Sequence, residues 1–131
     1  DQMRAQTTGF NGANVHTPYM DKMAGEGVVF ETTVSNVPVC TPWRAAFLSG
    51  QYPLSTGMFM NDVQMPTDSP TLGTVLKDAG YQTAYIGKWH LDGPERSAYT
   101  PPGPRRQGFD YWAVGNCTHN YDESIYYRDS S

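Results

Sequence analysis

Two short stretches carry side chains whose types and spacing could do chemistry on a small anion. In Cys40-Thr41-Pro42-Trp43-Arg44 a thiol sits immediately before a hydroxyl-proline pair that reads as a helix start, and a guanidinium follows within the first helical turn. Unpaired backbone N–H groups and the helix dipole favour negative charge at such a start, so a thiolate or a bound anion is stabilised there. A cation in the first turn opposes the same dipole and ordinarily costs about 0.3–1 kcal/mol, so Arg44 makes sense there if an anion sits beside it. In Gly87-Lys88-Trp89-His90 a second cation and a proton-transfer group follow an apolar segment. The four residues Cys40, Arg44, Lys88 and His90 thus suggest a site for a tetrahedral oxyanion, phosphate or sulfate. The competing readings are a small buried structural cysteine and a merely polar strand end. A cysteine-dependent phosphatase loop fits less well, because it needs a wider spacing than the three residues between Cys40 and Arg44.

The elements that must hold these residues are marked by repeated punctuation. Thr17-Pro18, Thr41-Pro42 and Ser69-Pro70 each pair a hydroxyl N-cap with a proline at the first helical position. The first predicted helix carries Met20, Met23 and Ala24 on one face and stops at Gly27, and Val28-Val29-Phe30-Glu31-Thr32-Thr33-Val34 reads as a strand. In the third, Leu72, Val75, Leu76 and Ala79 follow helical spacing up to Gly80, and Tyr81-Gln82-Thr83-Ala84-Tyr85-Ile86 reads as a strand. Helix then strand, twice, predicts an α/β fold with a mostly parallel sheet flanked by helices. Ligands in such sheets gather beyond the carboxyl ends of the strands, where Lys88 and His90 fall.

Composition narrows the function classes. Of 131 residues, 9 are Lys or Arg and 13 are Asp or Glu, for a net charge of -4, which argues against a nucleic-acid surface built on clustered cations. No apolar run reaches the roughly 18 residues of a membrane span. The 13 Gly and 10 Pro indicate a loop-rich chain with a modest core, and Cys40 and Cys117 are too few for a disulfide framework. Downstream, His119 adjoins an aromatic cluster and reads equally as a substrate contact or as structure; for the tyrosines, packing is favoured. Arg105-Arg106 reads as a solvated pair, His16 as a surface residue, Cys117 as structural, and Asn116-Cys117-Thr118 matches a glycosylation acceptor.

Several of these segments resemble the N-terminal part of the type I sulfatases, members of the alkaline-phosphatase-like superfamily. Cys40-Thr41-Pro42-Trp43-Arg44 followed by Leu48-Ser49-Gly50-Gln51-Tyr52-Pro53 is similar to the family's first signature, and Gly80 through Leu91 to its second. Asp1-Gln2 resembles the end of its metal motif, and the resemblance runs from Asp1 to about Trp112. It implies that residues 1–131 are a partial sulfatase catalytic domain, truncated at both ends and inactive alone, with further metal ligands, a second lysine and the general acid outside it.

The resemblance further implies a sulfuric-ester hydrolase acting on a sulfated carbohydrate or aryl sulfate. A formylglycine-generating enzyme would oxidise Cys40 to formylglycine, whose gem-diol attacks the sulfur; its second hydroxyl then loses a proton as sulfate leaves. Arg44 would hold the formylglycine, Lys88 would bind sulfate oxygens, and His90 would assist the deprotonation. Asp1 and the oxidised Cys40 would ligate Ca²⁺, with His119 and Lys88 on the substrate. Trp43 stands where the family often has a small residue and is expected to shape the pocket wall. A periplasmic, secreted or lysosomal location is expected before a cytoplasmic one. A phosphonate or phosphate ester hydrolase using the same formylglycine, and a non-catalytic homologue that binds sulfated glycans, are the alternatives.

Overall fold

The computed structural model describes residues 3–120 and 122–129. The chain divides into two compact units, Asp1–Val34 and Ser35–Ser131. In the first unit, two short 3-10 turns precede helix α1, Pro18–Glu26. Thr17 occupies the N-cap position as predicted, but its hydroxyl accepts the Gly9 N–H at 2.8 Å and donates to Asp21 Oδ1 at 2.9 Å instead of capping the helix. The face bearing Met20 and Met23 remains exposed. The run from Val28 to Val34 is not a strand: its described backbone is irregular, and Val28, Phe30 and Val34 stand open to solvent. β-branched composition supplies propensity, but a strand also needs a neighbouring ladder, and none pairs with this run among the described residues.

The second unit holds α2 (Cys40–Ser49), α3 (Leu72–Asp78), β1 (Ala84–Lys88), β2 (Tyr111–Gly115) and β3 (Tyr127–Arg128). The sheet order is β1-β2-β3, with β1 parallel to β2 and β2 antiparallel to β3. The fold is α/β, as expected, although the β1–β2 connection carries only a 3-10 turn, Pro104–Arg106, in place of a crossover helix. Helix α3 starts from Thr71, not Ser69: Thr71 and Thr74 exchange side-chain and backbone hydrogen bonds in a capping box. Strand β1 begins and ends later than the pattern suggested, so Lys88 is its last residue.

The core gathers Ala45 and Leu48 of α2, Trp112 and Val114 of β2, and Met58, Met65, Trp89 and Leu91. Edge-to-face contacts of Trp89 with Tyr85 and Trp112, at ring separations of 4.9 and 5.0 Å, lock the aromatic centre. Arg106 belongs to this centre and is not solvated as predicted. Only 2% exposed, it stacks over Trp112 at 4.8 Å, donates to the Thr100 carbonyl and pairs with Asp129. The guanidinium is buried because its planar face covers an indole while its edge finds acceptors. Arg105 stays more open and pairs with buried Asp92 at 3.1 Å.

Candidate active site

Helix α2 packs its Ala45 and Leu48 face into the core, and hydrogen bonds from Thr41 and Arg44 bring the second signature to the first. Helix α2 begins at Cys40, with extended Val39 as the N-cap residue, so Thr41 is not the N-cap. Thr41 is instead a buried junction. Its N–H donates to Asn61 Oδ1 at 2.9 Å, and its hydroxyl donates to the His90 carbonyl at 2.8 Å. One of the orphan N–H groups of the helix start is thereby satisfied by a distant side chain.

Arg44 lies one turn beyond Cys40 on the same face. Its Nη1 donates to the Lys88 carbonyl at 2.6 Å and to the Tyr85 hydroxyl at 3.3 Å, and that hydroxyl itself donates to the Lys88 carbonyl at 2.9 Å. Lys88 then reaches back from the end of β1, placing Nζ 3.4 Å from Cys40 Sγ. The thiol, the guanidinium and the ammonium predicted from spacing therefore form one cluster. Two cations converging on the first turn of a helix are suited to an anionic group there.

His90 joins the cluster through the backbone. Its φ of 55° is left-handed, and that conformation is held by its N–H donating to Asn116 Oδ1 at 3.0 Å and its carbonyl accepting from Thr41. The imidazole is buried, with Nε2 2.8 Å from Asp62 Oδ1, while Nδ1 meets no hydrogen-bond partner among the described residues. Asp62 is gripped in turn by Arg96, whose Nε and Nη2 donate to its two oxygens at 2.8 and 2.7 Å. The bonds from Arg96 and His90 hold the Asp62 carboxyl down at about 2. Burial pushes His90 below the usual imidazole value, and its bond to Asp62 opposes this only in part.

Asp62, Arg96, Asn61, Asn116 and Tyr85 were missed in the sequence. Asn61-Asp62 offered a faint signal, since short polar residues tolerate the left-handed backbone, and Asp62 adopts a φ of 64°. His119 lies on the exposed segment after β2, outside the cluster. A cavity of about 590 Å³ opens beside Lys88 and is lined by Gly115, Cys117, Thr118, Ile125 and Tyr126, without His119. Asn116 is buried and committed to His90 and to the Glu95 carbonyl, so it is not presented as a glycosylation acceptor. Cys117 is a buried free thiol, consistent with a structural role.

Of the two expected calcium ligands, Asp1 lies outside the described residues, and the Cys40 thiol faces the Lys88 ammonium. Among the described residues no three His, Cys, Asp or Glu side chains converge as a metal cluster. The described side chains alone do not fit a calcium site. No described helix is long and apolar enough to cross a membrane.

A sequence model of the family described as Sulfatase matches residues 1–130. An ulvan-active sulfatase of Formosa agariphila is 52% identical over the whole chain, which spans 26% of that protein's length. A solved structure from glycosaminoglycan metabolism in Bacteroides thetaiotaomicron superposes with a TM-score of 0.86, covering 98% of this chain and 33% of its own length at 30% identity. A second, solved with its substrate D-glucosamine-2-N,6-O-disulfate, matches 83% of this chain and 20% of its own at 35% identity and a TM-score of 0.65.

Proposed function

The chain belongs to the sulfatase family, and from that premise we propose that it supplies the nucleophile, two cations and a proton acceptor to a hydrolase of sulfated glycans. The observation that carries this reading is the convergence of Cys40, Arg44 and Lys88, in which Lys88 Nζ stands 3.4 Å from Cys40 Sγ and Arg44 grips the Lys88 carbonyl at 2.6 Å. Cys40 is the residue converted by a formylglycine-generating enzyme, and the hydrated aldehyde then supplies an oxygen nucleophile to the sulfur of the ester. Lys88 binds the sulfate oxygens and gains strength as charge develops on them. Arg44 fixes the modified side chain, and His90 removes the proton whose loss accompanies sulfate release.

Sulfated carbohydrate is the proposed substrate class. The ulvan-active relative and the neighbour solved with a sulfated glucosamine support it, and the cavity beside Lys88 leaves room for a sugar ring. Calcium is the proposed metal of the full enzyme, with the oxidised Cys40 as one of its oxygen ligands. Contact of His119 with the substrate is likewise proposed. A periplasmic, secreted or lysosomal site of action follows from the same reading and is checked by fractionating the source cells.

The test uses the enzyme that contains this chain, produced with a formylglycine-generating enzyme. Mass spectrometry of the peptide bearing Cys40 should show the thiol replaced by an aldehyde, and ion chromatography should detect sulfate released from sulfated polysaccharide. Cleavage of an aryl phosphonate with no sulfate release would replace this reading with the phosphonate hydrolase. Binding of the polysaccharide without turnover by converted protein would replace it with the non-catalytic one.

A further inference from the structure

The Asp62–His90 contact decides more than the place of a ring. Arg96 occupies both Asp62 oxygens, and Oδ1 also faces His90 Nε2. A carboxylate so held is an acceptor only, so the proton in the 2.8 Å contact belongs to Nε2. A neutral imidazole that carries its proton on Nε2 has its lone pair on Nδ1, the buried nitrogen that no described group engages. The ring cannot turn over easily: His90 is 4% exposed, and its backbone is fastened on both sides by Asn116 and Thr41. Thr41 directly follows Cys40, so the His90 backbone is fastened to the turn that carries the proposed nucleophile.

We propose that Asp62 is a positioning residue: by accepting Nε2–H it holds His90 in one tautomer and so selects Nδ1 as the atom that takes the proton. This rests on the functional reading above for what the proton transfer accomplishes, but not for the tautomer itself. In the transfer, a hydroxyl on the oxidised Cys40 side chain gives its proton to Nδ1. The electron pair left on oxygen forms the carbonyl as the carbon–oxygen bond to sulfate breaks, and sulfate leaves with that bonding pair. His90 becomes an imidazolium bearing a proton on each nitrogen, and ionised Asp62 stabilises it without accepting the proton. Arg96 keeps Asp62 in that role. Further stabilisation comes from the orientation being set before substrate arrives.

The experiment is nitrogen NMR on the enzyme labelled at histidine, with the His90 signals assigned by their loss in His90→Gln, alongside steady-state kinetics on sulfated polysaccharide. The wild-type enzyme should show Nε2 protonated and Nδ1 bare at neutral pH. Asp62→Asn should give a mixture of tautomers and lower kcat by about 10²–10⁴-fold, the range of a lost or misoriented general base, with KM little changed. Asp62→Glu, which keeps the acceptor, should retain the Nε2–H tautomer and recover part of the rate. A wild-type enzyme with Nδ1 protonated would overturn the proposal, as would an Asp62→Asn enzyme that keeps both the tautomer and kcat. If Asp62→Asn does not fold, the wild-type tautomer together with Asp62→Glu decides. If the wild-type enzyme releases no sulfate, the functional reading fails, while the tautomer still supports or overturns the assignment of Asp62.

Discussion

Arg44 Nη1 donates to the carbonyl of Lys88 at 2.6 Å, so the helix that carries Cys40 is tied to the last residue of β1 through backbone as well as side chain. The same guanidinium also reaches the Tyr85 hydroxyl, which bonds the same carbonyl. The rigid guanidinium holds that one nitrogen against both acceptors, whereas an ammonium on a flexible stem offers no such fixed geometry. The first motif is thereby placed against the second by a side chain usually considered only for its charge.

Arg44→Lys should therefore lower kcat by about 100-fold, through displacement of Cys40 relative to Lys88. Steady-state kinetics on a sulfated polysaccharide checks this, with thermal melting to separate misplacement from unfolding. An enzyme within a few-fold of wild type would show that the guanidinium geometry is dispensable.

Lys88→Ala removes the cation that stands against Cys40 Sγ. Loss of one preorganised charge at a developing oxyanion should cost about 10²–10³ in kcat. Near-normal turnover would take Lys88 out of the mechanism.

Thr41→Val keeps the shape of a fully buried side chain but deletes the hydroxyl that donates to the His90 carbonyl at 2.8 Å. The carbonyl is then left without that donor, and unfolding in denaturant should show a loss of about 1–3 kcal/mol. A change within experimental scatter would mean that His90 finds another donor.

Arg106→Ala should be among the most damaging changes away from the site. It removes the cation over Trp112 and the donors to Thr100, and it strands Asp129. Because Asp129 is partly exposed, the expected loss is near 3 kcal/mol, the low end for breaking a buried pair, measured by the same denaturation.

Acid should weaken the fold in two steps. His90 has a folded value below the usual 6.5, so the unfolded chain binds the proton first, and stability declines as pH falls from about 6.5 toward the lowered value. Asp62 sits at about 2 instead of 3.8, so its contribution is complete above 3.8 and is lost as pH falls through that interval. Melting temperature against pH for wild type and His90→Gln checks the first step: the decline below about 6.5 should be shallower in the variant.

Much of the candidate site's clustering was legible because its residues stand at short spacing. Cys40 and Arg44 are one helical turn apart, and Lys88 and His90 flank the end of one strand. Their partners were not legible, since Asp62 and Asn116 reach His90, and Arg96 reaches Asp62, only through loops that the tertiary fold closes. Arg106 misled for a related reason. Two adjacent arginines after prolines look solvated until an indole face is found beneath one of them. Val28 to Val34 shows the opposite error, in which propensity was clear but the ladder that would make it a strand is not among the described residues. The helix starts were located to within a few residues, while the actual caps, Val39 and Thr71, depended on contacts that spacing does not reveal.

Asn61 accepts the Thr41 N–H, and its neighbour Asp62 holds His90, so two consecutive side chains secure both motifs. The same segment is threaded closely: Met65 N–H bonds the Leu91 carbonyl, Gln64 bridges Asp92, and Gly93 leaves no space for a side chain against Asp62. Cys40 and His90, the proposed nucleophile and base, therefore share one point of failure. A local opening at residues 61–65 would release both together, so hydrogen-exchange protection around Thr41 and His90 should be lost at a single free energy and not in two stages.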